Sequence, residues 1–427
     1  MSPFVASKVR VVGLRSAALA AVLALGAPPI AWAASVREIT PVEKPFQFDR
    51  PQFKVKLIET SRFVRVNEAR NDFEVSGAGL AVAVLDTGLR TTHVDFKGRV
   101  VAQRNFTDDN AGNLDDATDG NGHGTNVAGI IGADGDHTGM APGASLVPIK
   151  VLANSGGGSF DDITDALQWV IDNRAKYNIT VVNMSLGSTS NESDDAPTGM
   201  DELRDKIRKL RDQNVAVVAA AGNDFFRFKK QGMGYPAIIR ETVSVGAVYD
   251  ANSGPFGYKS GAVAHSTDAG RICPFSQRLQ ASSDKPRTDI FAPGAPVTSS
   301  GIDSDRGESV DHGTSQATPV TAGVILLLQE LHLRATGKLP TVAAIEKYLS
   351  DGGVGIVDGD DEDDNVPHDK VEYRRLDAHS ALQNLRNDLT KQAVLQQKAF
   401  QALDFAPDAK ARFVNESIKR AEAAKNQ

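Results

Sequence analysis

The chain has 427 residues, of which 41% are apolar and 24% charged, with 38 glycines. That composition suits a packed globular core and excludes a disordered or fibrous protein. A formal net charge of −7 argues against general attraction to nucleic acid or anionic lipid.

Residues 1–33 read as a secretory signal peptide. Lys8, Arg10 and Arg15 give a basic start, Ser16 to Gly26 is an apolar run rich in Ala and Leu, and Pro28 and Pro29 break it. Ala31-Trp32-Ala33 then supplies a small-x-small cleavage site. The alternative, an uncleaved anchor, needs about 20 apolar residues, and this run is shorter. No other segment is long and apolar enough to span a bilayer. The mature protein is therefore expected in the periplasm or outside the cell, without a membrane anchor. Cleavage after Ala33 removes three cations and no acid, which takes the net charge from −7 to −10. Residues 34–65 mix Pro, Lys, Glu and Phe without a period and read as an N-terminal extension or short pro-segment.

From residue 66 to 385 apolar runs alternate with helical stretches, as one domain. Strands are predicted at Leu80–Leu85, Ser145–Leu152, Thr180–Met184, Val215–Ala220, Thr242–Val248 and Asp289–Phe291, and helices at Thr125–Ile131, Phe160–Arg174 and Asp201–Gln213. Several strands are continuous Val/Ala/Ile runs, as expected of a parallel sheet buried on both faces. The predicted fold is α/β, a three-layer sandwich with a mostly parallel central sheet flanked by helices. In such sheets the chemistry lies beyond the carboxyl ends of the strands. Residues 386–427 read as a helical tail. Cys273, the one cysteine, is either a reactive thiol or, the favoured reading, a small buried apolar group.

Four short segments carry chemistry. The strand Leu80–Leu85 ends in Asp86-Thr87-Gly88, a carboxylate at the strand tip before a glycine turn. Aspartic peptidases share Asp-Thr-Gly but need two such carboxylates, and no second one follows an apolar strand here. In Asn121-Gly122-His123-Gly124-Thr125-Asn126-Val127-Ala128-Gly129 the histidine lies between glycines where a loop enters an apolar helix; a structural core histidine is the other reading. In Ala219-Ala220-Ala221-Gly222-Asn223, Asn223 is either a turn residue or a donor to a developing oxyanion. Gly313-Thr314-Ser315-Gln316-Ala317-Thr318-Pro319 runs into Val320–Leu331, predicted to be a buried helix. Ser315 is there either an N-cap or a nucleophile beside free backbone N–H groups. His93 and His312 lack the glycine-flanked helix entry and are weaker candidates for a base.

The order Asp86, His123, Asn223, Ser315, each in its own local motif, resembles the subtilisin family of serine peptidases. The resemblance runs from about Val66 to Leu385. It includes Met140-Ala141-Pro142, Asn183-Met184-Ser185-Leu186-Gly187, Gly234-Tyr235-Pro236-Ala237, Val245-Gly246-Ala247, Asp289-Ile290-Phe291-Ala292-Pro293-Gly294 and Tyr373-Arg374-Arg375-Leu376-Asp377-Ala378. It implies a serine endopeptidase in which Ser315 is the nucleophile, His123 the general base, Asp86 its orienting carboxylate and Asn223 an oxyanion donor. It also implies a protein or peptide substrate lying as an added strand on Ser155, Gly156, Gly157 and Gly158 and on Ser185, Leu186 and Gly187. Ala220, Ala221 and Gly222 would line the pocket before the cut. Those small, uncharged residues predict an apolar or aromatic preference there, with nothing acidic enough to demand Arg or Lys.

The resemblance implies no cofactor for the chemistry and a monomer. Relatives hold structural calcium partly through a loop after the histidine's helix; here Gly132–Gly139 is shorter than the usual version. Asp108–Asp119 and Asp358–Asp364 are dense in the hard oxygen ligands that calcium takes, or are solvated loops. The metal ligands are unassigned. Asn126 stands where relatives often carry a second histidine, and Gln316 where methionine is common. The extension at 34–65 is too short for the family's usual pro-domain. Competing readings are an inactive relative used for binding, against which all four positions are filled, and an α/β-hydrolase, which would need Gly-x-Ser-x-Gly with histidine last.

Overall fold

The computed structural model describes residues 45–46, 57–195, 199–280 and 286–403; the expected signal peptide at 1–33 and the tail beyond 403 lie outside them. Among the described residues the middle layer is a nine-stranded sheet. Its order is Val354–Val357, Glu372–Arg375, Ile290–Ala295, Val243–Tyr249, Ala216–Ala220, Ile179–Met184, Ala81–Asp86, Ser145–Lys150, Arg104–Asn105. All neighbours are parallel except Val354–Val357 against Glu372–Arg375.

Two-residue alternation divides each strand between two cores. Val82, Val84, Ala216 and Val218 face one core, whereas Ala81, Ala83, Leu85, Val217 and Ala219 face the other. The first core is closed by the helices His123–Gly132 and Thr314–Thr336, the second by Phe160–Tyr177 and Asp201–Asp212. Burial on both faces is why the strands read as unbroken apolar runs. The helices expected at Thr125–Ile131, Phe160–Arg174 and Asp201–Gln213 are present, each shifted by three residues or fewer at its ends, and the one expected at Val320–Leu331 is longer, Thr314–Thr336. Phe160–Tyr177 starts where Ser159 accepts from the Asp162 N–H at 3.0 Å and stops at Asn178 in the left-handed region, φ 57°.

The described part of the extension is more ordered than its sequence suggests. Leu57–Phe63 is a helix, and Leu57, Val64 and Val66 lie in the first core. Pro45–Phe46 pairs antiparallel with Phe256–Tyr258. The helix Ala378–Leu403 crosses the expected boundary at 385: Leu382 and Leu385 are buried and Leu389 packs against them, while Val394 and Leu395 are exposed. Cys273 is fully buried, and that burial pushes its thiol well up.

Candidate active site

Asp86 ends the strand Ala81–Asp86 and is fully buried. Its Oδ1 accepts from the Thr87 N–H at 2.7 Å and lies 2.7 Å from His123 Nδ1. His123 opens its helix after Gly122, whose φ of 106° belongs to the region glycine favours. A Cβ on Gly124 would run into the Gly88 carbonyl oxygen, so the close approach of the Asp86 turn to the His123 helix requires glycine there.

The turn before His123 is wound on Asp119. Its Oδ1 accepts from the Asn121 and Gly122 N–H groups and from Thr87 Oγ1, all at 2.9 Å. Its Oδ2 accepts from Thr125 N–H at 2.9 Å and Thr125 Oγ1 at 2.7 Å. Thr87 Oγ1 in turn accepts from the Gly124 N–H at 2.9 Å. Burial works to raise the pKa of Asp119, and these donors outweigh it. Asp119 was not singled out from the sequence, although an Asp before Gly-Asn-Gly is a recognisable turn signal. The fully buried Lys150 adds a second tie: its Nζ donates to Thr87 O at 2.7 Å, Leu152 O at 3.1 Å and Asn154 Oδ1 at 2.9 Å.

Ser315 is the second residue of Thr314–Thr336 rather than its N-cap, which is Gly313. Pro319 has no N–H to offer the carbonyl four residues earlier. That Ser315 carbonyl instead accepts from Ser185 Oγ at 2.7 Å, and Ser315 Oγ donates to the Ser185 carbonyl at 3.0 Å. Asn223 Oδ1 accepts from the Thr314 N–H and from Thr314 Oγ1, both at 2.9 Å. The asparagine is thus held at the start of the Ser315 helix.

His123, Asn223 and Ser315 line one cleft of about 610 Å³. His123 is 5% exposed, and its Nε2 has no hydrogen-bond partner among the described residues. Burial opposes the imidazolium, but the charge and hydrogen bond of Asp86, then the charges of Asp311 and Asp119, hold the pKa above its ordinary value. The other two histidines are engaged elsewhere. His312 is buried with Nδ1 3.2 Å from Tyr258 Oη, and burial pushes its pKa down to about 3. His93 Nε2 lies 3.0 Å from the Gly307 carbonyl.

Of the expected substrate-contacting residues, Ser155, Leu186, Gly187, Ala220 and Gly222 line the cleft, and Gly156, Gly157, Gly158, Ser185 and Ala221 do not. Ser185 is turned onto Ser315, Ala221 is buried with its N–H on the Val245 carbonyl, and Gly158 bridges to Leu152. The cleft is also lined by Asp224, Asp303, Glu308 and Asp311. These carboxylates carry no local signal, because three of them belong to the hairpin Val297–Gly301 and Gly307–Asp311 with its tip, distant in sequence from the His123 motif.

At two of the places where calcium is a candidate, a buried carboxylate already meets protein donors. In the loop Gly132–Gly139 region, Asp95 Oδ1 accepts from the Asp136 and His137 N–H groups at 2.7 and 3.0 Å. Its Oδ2 lies 2.6 Å from Ser300 Oγ and 2.8 Å from His137 Nδ1. Burial opposes ionisation, but these bonds hold the Asp95 pKa at about 2. Asp358, Glu362 and His368 bring possible ligand atoms within 4.8 Å of one another. Yet the Asp358 oxygens already accept from Arg278 at 2.9 and 3.0 Å and from the Asp369 N–H at 3.0 Å, with His368 Nδ1 at 2.9 Å. A guanidinium fills the seat a cation would take.

A model described as "Subtilase family" matches residues 77–347. The chain is 32% identical over 263 residues to an intracellular serine protease of Paenibacillus polymyxa, covering 60% of this chain and 69% of that protein. It is 33% identical over 271 residues to subtilisin DY of Bacillus licheniformis, covering 63% and 80%. Against subtilisin E of Bacillus subtilis it is 32% identical over 260 residues, covering 60% and 57%. The matched span holds all four motifs and most of the layered sheet that positions them, and the chain belongs to the subtilase family of serine endopeptidases.

Proposed function

We propose that Ser315, His123 and Asp86 form the catalytic triad of this peptidase, with Asn223 as an oxyanion donor. The observation that carries the reading is the 2.7 Å contact of His123 Nδ1 with Asp86, which leaves Nε2 without a partner on a residue that lines the same cleft as Ser315. Ser315 Oγ leaves the Ser185 carbonyl and gives its proton to Nε2 as it bonds to the scissile carbonyl carbon. The oxyanion that forms takes hydrogen bonds from Asn223 Nδ2 and the Ser315 N–H at the helix start. Nε2 then delivers the proton to the leaving nitrogen, the C–N bond breaks, and an acyl-enzyme remains. Water attacks that ester with Nε2 again as base, releasing the acid and restoring the serine. Asp86 keeps Nδ1 protonated and stabilises the imidazolium.

Ser315→Ala is expected to fold and to lose casein hydrolysis by on the order of 10⁶ in turnover. Hydrolysis at the wild-type rate would end the assignment. Removing the Asn223 amide by Asn223→Ala is expected to cost about 10² to 10³ in kcat.

The small side chains of Ala220 and the absence of one at Gly222 and Gly187 support an apolar or aromatic residue before the cut, with broad tolerance. Residues 1–33 support export, although the relatives include intracellular proteases. No helix among the described residues is long and apolar enough to cross a membrane. Mass and N-terminal analysis of secreted protein is expected to find a chain starting at Ala34.

A further inference from the structure

The catalytic reading leaves the acidic side chains of the cleft without a task. Asp224, Asp303, Glu308 and Asp311 line it against a single lysine, Lys259. Three of the four come from the hairpin Val297–Gly301 and Gly307–Asp311 and its tip. That hairpin is fastened to the helix of His123: Asn126 Nδ2 donates to Ser309 Oγ at 2.8 Å. Ala220 and Gly222 instead lie at the end of the Ala216–Ala220 strand, two places along the sheet from the Asp86 strand.

Chemistry assigns the two sides. The imidazole must hand its proton to the leaving nitrogen, so the leaving half of the peptide passes on the His123 side, beside this hairpin. His123 lines the same cleft as the hairpin acids, and its Nε2 has no hydrogen-bond partner among the described residues. Two arginines at the hairpin tip pair with other acids, Arg306 with Asp136 at 2.6 Å and Arg90 with Asp305 at 2.8 Å. Glu308 also faces His137 Nε2 at 3.4 Å, while Asp303 and Glu308 are both exposed to an incoming chain.

Resting on the peptidase reading above, we propose that Asp303, Glu308 and Asp311 form an acidic rim that selects Lys or Arg on the leaving-group side, within about three residues after the cut. The charge of Asp311 also reaches the imidazole and helps raise its pKa, which places this carboxylate close to the reacting groups. An exposed attraction of this kind acts mainly on capture of the substrate and weakens with salt.

The test is a set of quenched fluorescent peptides, identical up to the cut and carrying Lys, Gln or Glu at the first three positions after it. The wild-type enzyme is expected to give kcat/KM in the order Lys, Gln, Glu, with roughly tenfold between the extremes, since about 1.4 kcal/mol separates them per factor of ten. The gap is expected to shrink in 0.5 M salt and to collapse toward unity in Asp303→Asn/Glu308→Gln/Asp311→Asn. Asp224→Asn, outside the hairpin, is expected to leave the ratio as it is. Equal rates for the three wild-type peptides, or a Lys preference that survives the triple substitution, would overturn the rim while leaving the triad intact. No hydrolysis of any peptide, together with no fluorophosphonate labelling of Ser315, would overturn both.

Discussion

Gln316 Nε2 donates to Asn126 Oδ1 at 3.4 Å, joining the helix that carries Ser315 to the helix that carries His123. Both positions are ones that the resemblance sets apart from the usual pattern of the family, and in the fold they meet. Asn126 passes the link on to Ser309 of the cleft hairpin at 2.8 Å. The contact is long for a hydrogen bond, so its share in stability is at the low end.

A double-mutant cycle measures that share. Asn126→Ala and Gln316→Ala are each expected to lower stability in urea, with a coupling of about 0.5 kcal/mol between them. Strict additivity would mean that the two helices are not joined through this pair.

The pH profile follows from the charges around His123. Its pKa stands above the ordinary 6.5 because Asp86, Asp311 and Asp119 outweigh burial. In the proposed mechanism only the neutral imidazole accepts the serine proton, so kcat/KM is expected to fall as pH drops through that raised value. Removing the Asp311 charge favours the neutral ring, and Asp311→Asn is expected to move the acid limb to lower pH. An unchanged or upward-moving limb would contradict the charge arrangement.

Asp250 provides a stability test away from the cleft. Burial lifts its pKa from 3.8 to about 6, although Thr60 Oγ1 donates to it at 2.8 Å. The unfolded chain therefore gives up this proton first. The contribution is full below about pH 4 and is lost as pH rises to about 6, by up to about 3 kcal/mol. Asp250→Asn is expected to raise the melting temperature at pH 8 and to change it little at pH 4; a loss at pH 8 would show that the ionised carboxylate is favoured in the fold.

Asp95 and Asp358 have their oxygens filled by protein donors, which makes calcium at those places unnecessary for folding. The melting midpoint is expected to be the same with and without EDTA. A fall of several degrees that added calcium restores would place a cation elsewhere in the chain.

Much of the site was legible because each piece is local. Asp86, His123, Asn223 and Ser315 each sit at a strand or helix end that glycines and apolar runs mark in the sequence. Buried parallel strands announced the sheet for the same reason. What stayed hidden was non-local. Asp119 acts through five donors that only the folded turn gathers, and the hairpin carboxylates reach the cleft across some 180 residues of chain separating them from His123. The pairing of Gln316 with Asn126 likewise needs two helices side by side. The helix Leu57–Phe63, at seven residues, is too short to show a period in the sequence.

The central claim is that the hydroxyl of Ser315 is activated by His123. Labelling the folded protein with a fluorophosphonate and mapping the adduct by mass tests it most directly. The account predicts one modified residue, Ser315, with no adduct in Ser315→Ala and a strongly slowed reaction in His123→Ala. Active enzyme modified at another serine, or labelled equally fast without the imidazole, would contradict it.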